Sequence, residues 1–215
     1  MIVTIASQKG GVGKSTVAMN LALGVAGLKK KYTVALLDAD QQKSCCETLQ
    51  HHKKKNLTIR EAAEKPHRII EELEQQIIFI DTPPHSHAII YQAAAVSDIV
   101  LIPLQPSPLD IRGVGKTVKA LTIIQEKMNP DLQCRFLINR ITPRTILANE
   151  IRSALQKYYP FPILKCMLHN REAYKQSLIT GTSVMEYNRS SLAAQEMEQL
   201  LIEIAKMMKL KKIKN

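Results

Sequence analysis

A glycine-rich turn separates the first strand pattern of the chain from the first helix pattern. Residues Ile2 to Ala6 form an apolar, β-branched run that predicts a buried strand, and Lys14 to Leu28 has a helical pattern. Between them, Gly10, Gly11 and Gly13 let the backbone curl so that successive N–H groups point inward and form a nest for an anion. The nest opens a helix whose amino-terminal dipole also attracts negative charge, so the segment predicts a phosphate-binding loop.

The loop departs at one position from the common phosphate-loop pattern, G-x-x-x-x-G-K-[ST]. Gln8 occupies the place of the first glycine, whereas Gly13, Lys14 and Ser15 match the end of the pattern. We expect the Lys14 ammonium to bridge the β- and γ-phosphates of a nucleotide and the Ser15 hydroxyl to bind Mg²⁺. The predicted nucleotide-binding residues that follow in the loop are Gly10, Gly11, Val12, Gly13, Lys14, Ser15 and Thr16.

Short apolar runs alternate with longer helical patterns along the rest of the 215 residues. Uniformly apolar strands between helices indicate a doubly wound α/β fold, with a mostly parallel sheet and helices on both faces. We expect one domain over residues 1–215, with a lysine-rich tail over residues 206–215. Further strands are predicted at Thr33 to Leu37, Ile77 to Ile80, Ile99 to Leu104, Arg135 to Ile141 and within Phe161 to Leu168, and further helices at Ile111 to Met128, Thr145 to Tyr158 and Ser191 to Met208.

The segment over residues 43–76 carries weaker signals. It is polar and rich in lysine, and it shows weak helical patterning around Ile59 to Ala63 and Ile69 to Leu73. We therefore predict no strand in this part of the chain.

The composition limits the classes of function. The chain has 30 lysines and arginines against 19 acidic residues, and this net charge of +11 favours an anionic partner such as nucleic acid, a membrane surface or a nucleotide. The four cysteines show no C-x-x-C spacing, so we expect reduced thiols of a cytoplasmic protein rather than a disulfide framework or a metal site. His51 and His52, or His85 and His87, lack a supporting cysteine or carboxylate pattern, so metal binding is not expected there.

The loop carries a second lysine, Lys9, at its mouth. Lys9 points away from the nucleotide that Lys14 is expected to bind, and a desolvated ammonium without a partner would be costly. An anion supplied by a second subunit would solve this. The segment KGGVGKST resembles the deviant Walker A motif of the ParA/MinD family of ATPases, and the chain is most similar to the small plasmid-partition ParA proteins of the ParF kind. The resemblance implies that two ATP molecules lie between two subunits, and that Lys9 contacts the phosphates bound by the partner subunit.

Two acidic segments extend the resemblance. LLDADQQKS is similar to the D-x-D-P-Q segment of the family, although Gln41 replaces the proline, and IIFIDTPP is similar to the Walker B strand. The resemblance implies that Asp40 positions the attacking water, so that the catalytic residues are Lys9, Lys14 and Asp40. It also implies that Asp38 is an indirect partner of Mg²⁺, while the strand-end carboxylate of Asp81 can hold the ion through water. The alternatives are a structural turn carboxylate at Asp40 and a capping aspartate at Asp81.

Two later segments complete the resemblance. SDIVLIPLQPSPLDIRG is similar to the corresponding segment of the ParF kind, and Asn139, followed by Arg140, stands where the family has an asparagine that contacts adenine. The implied function is a slow ATPase that partitions plasmid or chromosomal DNA, with ATP or ADP and Mg²⁺ as cofactors. ATP would drive dimerisation and non-specific DNA binding at the nucleoid, and hydrolysis would reset the protein. The implied partners are a second copy of the chain, extending in one alternative to higher polymers, and a centromere-binding partition protein.

The basic residues are clustered in a way that suits the DNA backbone rather than the reading of bases. Lysine clusters occupy residues 29–31, residues 53–55 and the carboxyl terminus, and no helix-turn-helix or zinc-finger pattern is visible. The alternative is a set of solvated lysines without a role in DNA binding. The predicted DNA-binding residues are Arg171, Lys175, Arg189, Lys206, Lys209, Lys211 and Lys212.

Two other functions remain open. One is a MinD-like, membrane-associated positioning ATPase, because the terminal segment AKMMKLKKIKN is basic and contains Met207, Met208, Leu210 and Ile213. That segment lacks Trp or Phe anchors and its apolar face is thin, so membrane binding is disfavoured. The other is an assembly protein in which ATP acts mainly as a switch for polymer formation.

Overall fold

The computed structural model describes residues 1–28, 32–63, 66–143 and 147–210. Within them the strands form one sheet in which every pair is parallel. The strands are β1 Ile2–Ile5, β2 Val34–Asp38, β3 Leu57–Glu61, β4 Ile77–Asp81, β5 Ile99–Leu104 and β6 Gln133–Ile138. They lie in the order β3-β2-β4-β1-β5-β6, which confirms the predicted doubly wound α/β fold.

Helices cover both faces of the sheet. They are α1 Lys14–Ala26, α2 Ser44–Thr48, α3 Pro66–Glu71, α4 His87–Ala95, α5 Pro108–Lys127, α6 Leu147–Tyr158, α7 Glu172–Ile179, α8 Val184–Tyr187 and α9 Leu192–Met207. On one face, α1 and α9 pack against β-strand residues such as Leu36 and Phe79. On the other face, α4, α5 and α6 pack against residues such as Ile102 and Phe136. In the part of the chain that the structure describes, no helix is both long and apolar enough to cross a membrane.

The prediction for residues 43–76 is wrong at one place. The weak helical pattern around Ile59 to Ala63 belongs largely to β3, which forms an edge of the sheet beside β2. Leu57 is buried while Thr58 and Arg60 are exposed. An edge strand with a solvated face need not be uniformly apolar, so the expectation of continuous apolar strands missed it.

The predicted strand within Phe161 to Leu168 is also wrong, because the segment does not form a regular strand. This segment lies along β6 but forms a single isolated bridge in the described chain, between Phe136 and Ile163. Pro160 and Pro162 have no backbone N–H to donate, so a continuous ladder cannot form there.

Helix α5 begins earlier than its apolar pattern indicates. The Ser107 side chain accepts a hydrogen bond from the Leu109 N–H at 3.2 Å, and Pro108 occupies the first helical turn. Serine before proline is a common helix start, so α5 begins at Pro108 rather than at the predicted Ile111.

The carboxyl-terminal helix holds its last apolar residues against the core. Met208 is 3% exposed, and Met207 and Leu210 pack against the same core. These three side chains therefore do not form a free apolar face. Lys211, Lys212 and Ile213 lie outside the described residues.

The turn between β1 and α1 depends on glycine. Gly11 has φ of 74° and Gly13 has φ of 90°, a region in which other residues are strained. The Gly13 carbonyl accepts the N–H of Val17 at 3.0 Å and thereby begins α1. A Cβ atom on Gly13 would lie 2.5 Å from the Nδ2 atom of Asn139, so a side chain cannot enter without displacing that amide.

Gly13→Ala is expected to destabilise the fold by about 1–2 kcal/mol through its left-handed backbone alone. Displacement of the Asn139 amide would add to that loss. Gly113→Ala is the matched control, because Gly113 is exposed within α5 and an added Cβ would have no described atom within 4 Å. The control should gain about 0.5–1 kcal/mol from helix propensity. Urea unfolding of both variants measures the difference, and wild-type stability in Gly13→Ala would contradict this geometry.

Candidate nucleotide-binding site

Two adjoining open clefts lie at the carboxyl edge of the sheet. One, of about 670 Å³, contains the phosphate loop and also Asp40 and Pro84. The other, of about 640 Å³, contains Asn139 and Tyr174. Gly13, Thr16 and Arg140 line both. We call them the phosphate-side cleft and the base-side cleft, because together they offer an anion nest joined to a less polar hollow.

The phosphate loop presents backbone donors to the phosphate-side cleft. Gly13 is the N-cap of α1 and has no side chain with which to satisfy the first N–H groups of that helix. Lys14 and Ser15 follow it directly and line the same cleft. The turn therefore combines the N–H groups, the helix dipole and a cation at one point, which is the arrangement that binds phosphate.

Lys14 is buried among carboxylates. The residue is 7% exposed, and its Nζ atom donates to the Lys9 carbonyl at 3.3 Å. Burial lowers the pKa of Lys14, while the charges of Asp81 and Asp40 oppose that change. An incoming phosphate would favour the charged ammonium in the same way, so the site is suited to a ligand of high negative charge.

Asp38 and Asp81 are brought together by strand register. They end β2 and β4 and face each other as register partners, so the two carboxylates meet at the edge of the sheet. Asp81 is 0% exposed, and burial raises its pKa to about 7, against the opposing effects of Ser15 and Cys45. Burial also raises the pKa of Asp38, although backbone N–H groups lower it. Two buried carboxylates at one point favour a cation beside them.

The Asp81 carboxylate fits the predicted magnesium site. Its Oδ1 atom is buried and has no hydrogen-bond partner among the residues that the structure describes. Mg²⁺ prefers oxygen ligands, and Ser15 and Asp81 can supply them directly or through water. The residues present therefore fit the ion, while the individual ligands remain predictions.

Asp38 organises the loop that follows β2. Its Oδ2 atom accepts the N–H groups of Cys45 at 2.8 Å and Cys46 at 3.0 Å, and its Oδ1 atom accepts the Asp40 N–H at 3.2 Å. The Oδ1 atom of Asp40 in turn accepts the Gln42 N–H at 3.0 Å. Asp38 thus fixes the position of Asp40 in the phosphate-side cleft. Water positioning by Asp40 and a turn role for it both remain compatible with these contacts.

Lys9 has a partner within its own chain. Its Nζ atom lies 2.6 Å from Oδ1 of Asp110, with the Lys9 side chain 42% exposed and the Asp110 side chain 3% exposed. Asp110 lies in the first turn of α5, where the helix dipole also favours a carboxylate. The sequence suggested an anion from a second subunit as one solution for Lys9, and it gave no sign of Asp110. The contact with a partner's phosphates remains a prediction.

Asn139 and Arg140 hold the phosphate loop from the side of β6. Asn139 donates from Nδ2 to the Val12 carbonyl at 2.7 Å and accepts the Arg140 N–H at 2.9 Å. Arg140 donates from Nη1 to the Gly11 carbonyl at 2.6 Å. Gln105, which the sequence did not single out, also donates to Gly11, at 3.0 Å. These residues brace the loop, and the adenine contact predicted for Asn139 stays a prediction.

Several predicted DNA-binding residues have partners within the chain. Arg171 donates from Nε and Nη2 to Glu196 at 2.9 and 2.6 Å and lines the base-side cleft. Lys175 pairs with Glu172 at 3.1 Å and lines the same cleft. Because both cations are paired with a carboxylate, Arg171 and Lys175 are less available to bind DNA than the sequence indicated. The predicted residues that the structure leaves exposed elsewhere are Arg189, Lys206 and Lys209.

The lysine cluster at residues 53–55 is only partly free of contacts within the chain. Lys53 and Lys55 are exposed, while Lys54 forms an ion pair with Glu186. The cluster at residues 29–31 and the predicted residues Lys211 and Lys212 fall outside the described ranges.

One group of potential metal ligands was not visible in the sequence. Asp38, Cys45 and Asp81 each place a ligand atom within 4.8 Å of the others. They come from three segments, so residue spacing gave no indication of the group. Of the histidines, His87 contacts Gln8, its Nδ1 atom lying 2.8 Å from the Gln8 Nε2 atom.

The chain is similar to proteins of one nucleotide-binding family. Residues 3–184 match the CobQ/CobB/MinD/ParA nucleotide binding domain. The maintenance of carboxysome distribution protein A of Halothiobacillus neapolitanus is 27% identical over 208 residues, which cover 93% of this chain and 94% of that protein. The sporulation initiation inhibitor protein Soj of Bacillus subtilis is 24% identical in a match that covers 95% of this chain and 98% of Soj.

A solved structure gives the same fold. The septum site-determining protein MinD of Pyrococcus horikoshii, complexed with Mg-ADP, matches with a TM-score of 0.78 at 18% identity and covers 96% of both chains. The family match spans most of the chain and includes the phosphate loop, Asp38 and Asp81. The chain therefore belongs to the CobQ/CobB/MinD/ParA family of P-loop proteins, as a member of the ParA/MinD type.

Proposed function

We propose that the chain is an ATPase that distributes plasmid or chromosomal DNA by cycling between an ATP-bound dimer on the nucleoid and a released monomer. Members of the ParA/MinD family are ATPases, and the site supports this activity here. The observation that carries the proposal is the unequal placement of two lysines on one phosphate loop. Lys14 is buried beside Asp81, whereas Lys9 is nearly half exposed at the rim.

One nucleotide would occupy both clefts. The triphosphate would enter the nest at Gly13, where Lys14 offsets its charge, and the base and ribose would lie towards Asn139 and Tyr174. Mg²⁺, when bound, would neutralise charge on the phosphates, held by Ser15 and Asp81. Asp38 would contribute indirectly, by fixing the loop that carries Asp40.

Dimerisation would give Lys9 a new partner. A second copy of the chain that approaches the phosphate-side cleft would place its bound phosphates near the rim where Lys9 is exposed. Leu109, next to Asp110, is 71% exposed and would be covered by such a neighbour. Lys9 would then exchange the Asp110 carboxylate for a triphosphate, so a monomer would hydrolyse ATP slowly.

Hydrolysis would depend on Asp40. Phosphoryl transfer needs an oriented water and positive charge on the transferred group more than it needs covalent chemistry. Asp40 lines the phosphate-side cleft and can accept a hydrogen bond from that water. Lys14 in cis and Lys9 in trans would supply the charge.

DNA binding would use the basic residues near α9. Arg189 precedes this helix, and Lys206 and Lys209 lie at its end. An ATP dimer would present two such surfaces to one duplex, which makes the second contact intramolecular. Because Met207, Met208 and Leu210 are held against the core, the described part of the tail favours DNA over a membrane.

A second candidate cargo is a large protein body rather than a replicon. The likeness to a carboxysome distribution protein over 93% of this chain favours it, because the same ATP cycle on DNA could carry either cargo. A centromere-binding partner would indicate a replicon, and a partner bound to a protein shell would indicate the second cargo. A fluorescent fusion of the chain, localised together with labelled replicons, tests the choice between the two cargoes. Co-segregation of the fusion with the replicons supports DNA partition.

Lys9→Ala should bind ATP in the monomer but lose ATP-dependent dimerisation and turnover. Lys14→Ala is the matched control, and it should lose ATP binding because the phosphates lose their cation in cis. Calorimetry measures binding, and light scattering measures dimers and also any polymers. A Lys9→Ala protein that dimerises normally would refute the role of Lys9 in trans, and unchanged ATP affinity in Lys14→Ala would refute the phosphate loop.

Asp40→Asn distinguishes a role of Asp40 in hydrolysis from a role in the turn. Asparagine can still accept the Gln42 N–H but carries no charge. Hydrolysis should fall by about 100-fold or more, while the ATP-bound dimer persists. Gln42→Ala, in the same cleft, should keep most of the activity. Phosphate release is the measurement. Wild-type turnover in Asp40→Asn would assign Asp40 to the turn instead.

Charge reversal at Arg189, Lys206 and Lys209 should abolish DNA binding and leave ATP-driven dimerisation intact. The control reverses Lys116 and Lys119, which are exposed on α5 at the opposite face of the sheet. Fluorescence anisotropy across a salt series should give a log–log slope of about −0.9 for each phosphate contact in the wild type. Affinity that is insensitive to salt, or equal with ATP and ADP, would count against the proposal.

A further inference from the structure

A thiol lies against the carboxylates of the nucleotide site. The Sγ atom of Cys45, in α2, donates to the Oδ2 atom of Asp81 at 3.3 Å. Asp38 contacts the same helix through the N–H of Cys45. All three residues are at most 1% exposed, and one ligand atom of each lies within 4.8 Å of the other two. The group is therefore compact, buried and composed only of potential metal ligands.

Within the described chain, the group keeps one carboxylate oxygen without a partner, although the Lys14 ammonium lies nearby. The Oδ1 atom of Asp81 is fully buried and finds no hydrogen-bond partner in the described ranges. The Ser15 hydroxyl lies close enough to this carboxylate to lower its pKa, against the larger effect of burial. Lys14 can offset the charge of only one of the two buried carboxylates, and a divalent cation would offset the other.

The distance between the thiol and the carboxylate fits a particular class of ion. A metal with bonds of about 2.3 Å to sulfur and about 2.0–2.2 Å to oxygen, in tetrahedral geometry, separates those two atoms by about 3.5–3.7 Å. The observed separation between Cys45 Sγ and Asp81 Oδ2 is 3.3 Å. Mg²⁺ takes oxygen ligands, whereas Zn²⁺ and Co²⁺ accept thiolate as well.

We propose that Asp38, Cys45 and Asp81 form a site for a thiophilic divalent cation of the Zn²⁺ class. Binding transfers the Cys45 thiol proton to solvent and leaves a fourth ligand position for water or a phosphate oxygen. The ion enters from the phosphate-side cleft, past Ser15. The consequence for activity rests on the proposed function: Asp81 cannot serve both ions, so the thiophilic ion competes with the Mg²⁺ of the nucleotide.

Co²⁺ tests the site directly, because a cobalt–thiolate bond gives a charge-transfer absorption that oxygen ligands do not. Titration of the full chain with Co²⁺, without nucleotide, should produce this absorption, and Zn²⁺ should remove it. Cys45→Ser should lose it. Cys46→Ser and Cys134→Ser, which alter a neighbouring and a distant thiol, should retain it. Thermal unfolding confirms that each variant is folded, and Cys45→Ala replaces Cys45→Ser if the latter is not.

Two results would overturn the site: no charge-transfer absorption in the wild type, or an unchanged absorption in the folded Cys45 variant. Calorimetry with Mg²⁺ and ATP on the same preparation separates this inference from the proposed function. ATP binding without a cobalt–thiolate signal refutes the cation site alone. A cobalt–thiolate signal without ATP binding refutes the nucleotide function alone.

Discussion

The charges buried at the carboxyl edge of the sheet are the constraint on which the site depends. Asp38 and Asp81 end neighbouring strands in register, and Lys14 enters beside them from the turn that begins α1. In the described chain this set is incompletely satisfied, since one Asp81 oxygen has no partner. Such a group favours a ligand that brings both a cation, for the carboxylates, and an anion, for Lys14. A magnesium nucleotide brings both.

The ion pair between Lys9 and Asp110 sets how readily the protein could change partners. The Lys9 side chain is 42% exposed, so its ammonium can return to water at little cost to itself. The cost falls on Asp110, which is 3% exposed and would lose its cation. The amino terminus of α5 offsets part of that loss. The pair would therefore hold Lys9 in place in the monomer and yield to a triphosphate, whose charge is larger than that of one carboxylate.

The sequence was informative wherever local physics decides the structure. The phosphate loop, the apolar central strands and the carboxylate that ends β4 follow from glycine conformation, burial and register, and all of them lie where the patterns predicted. The edge strand β3 was missed because its exposed face breaks the apolar pattern. The start of α5 was placed too late because the prediction followed the apolar pattern and overlooked Ser107 and Pro108, which are typical of a helix start.

The rest of the site depends on contacts between distant segments, which residue spacing does not encode. Asp110 reaches Lys9 only because α5 begins beside the phosphate loop, and Cys45 reaches Asp81 only because α2 folds under the strand ends. Arg171 was read as a surface charge because its partner, Glu196, lies on α9. Each of these side chains has a role that the tertiary structure, rather than its own neighbourhood in the sequence, determines.

We expect a magnesium nucleotide to join two copies of the chain into a dimer across their phosphate loops. Sedimentation equilibrium of the wild-type chain measures this dimerisation most directly, with Mg²⁺ and either a non-hydrolysable ATP analogue or ADP. The mass of a dimer is expected with the analogue, and the mass of a monomer is expected with ADP. The same mass with both nucleotides, with each shown to be bound, would contradict this expectation.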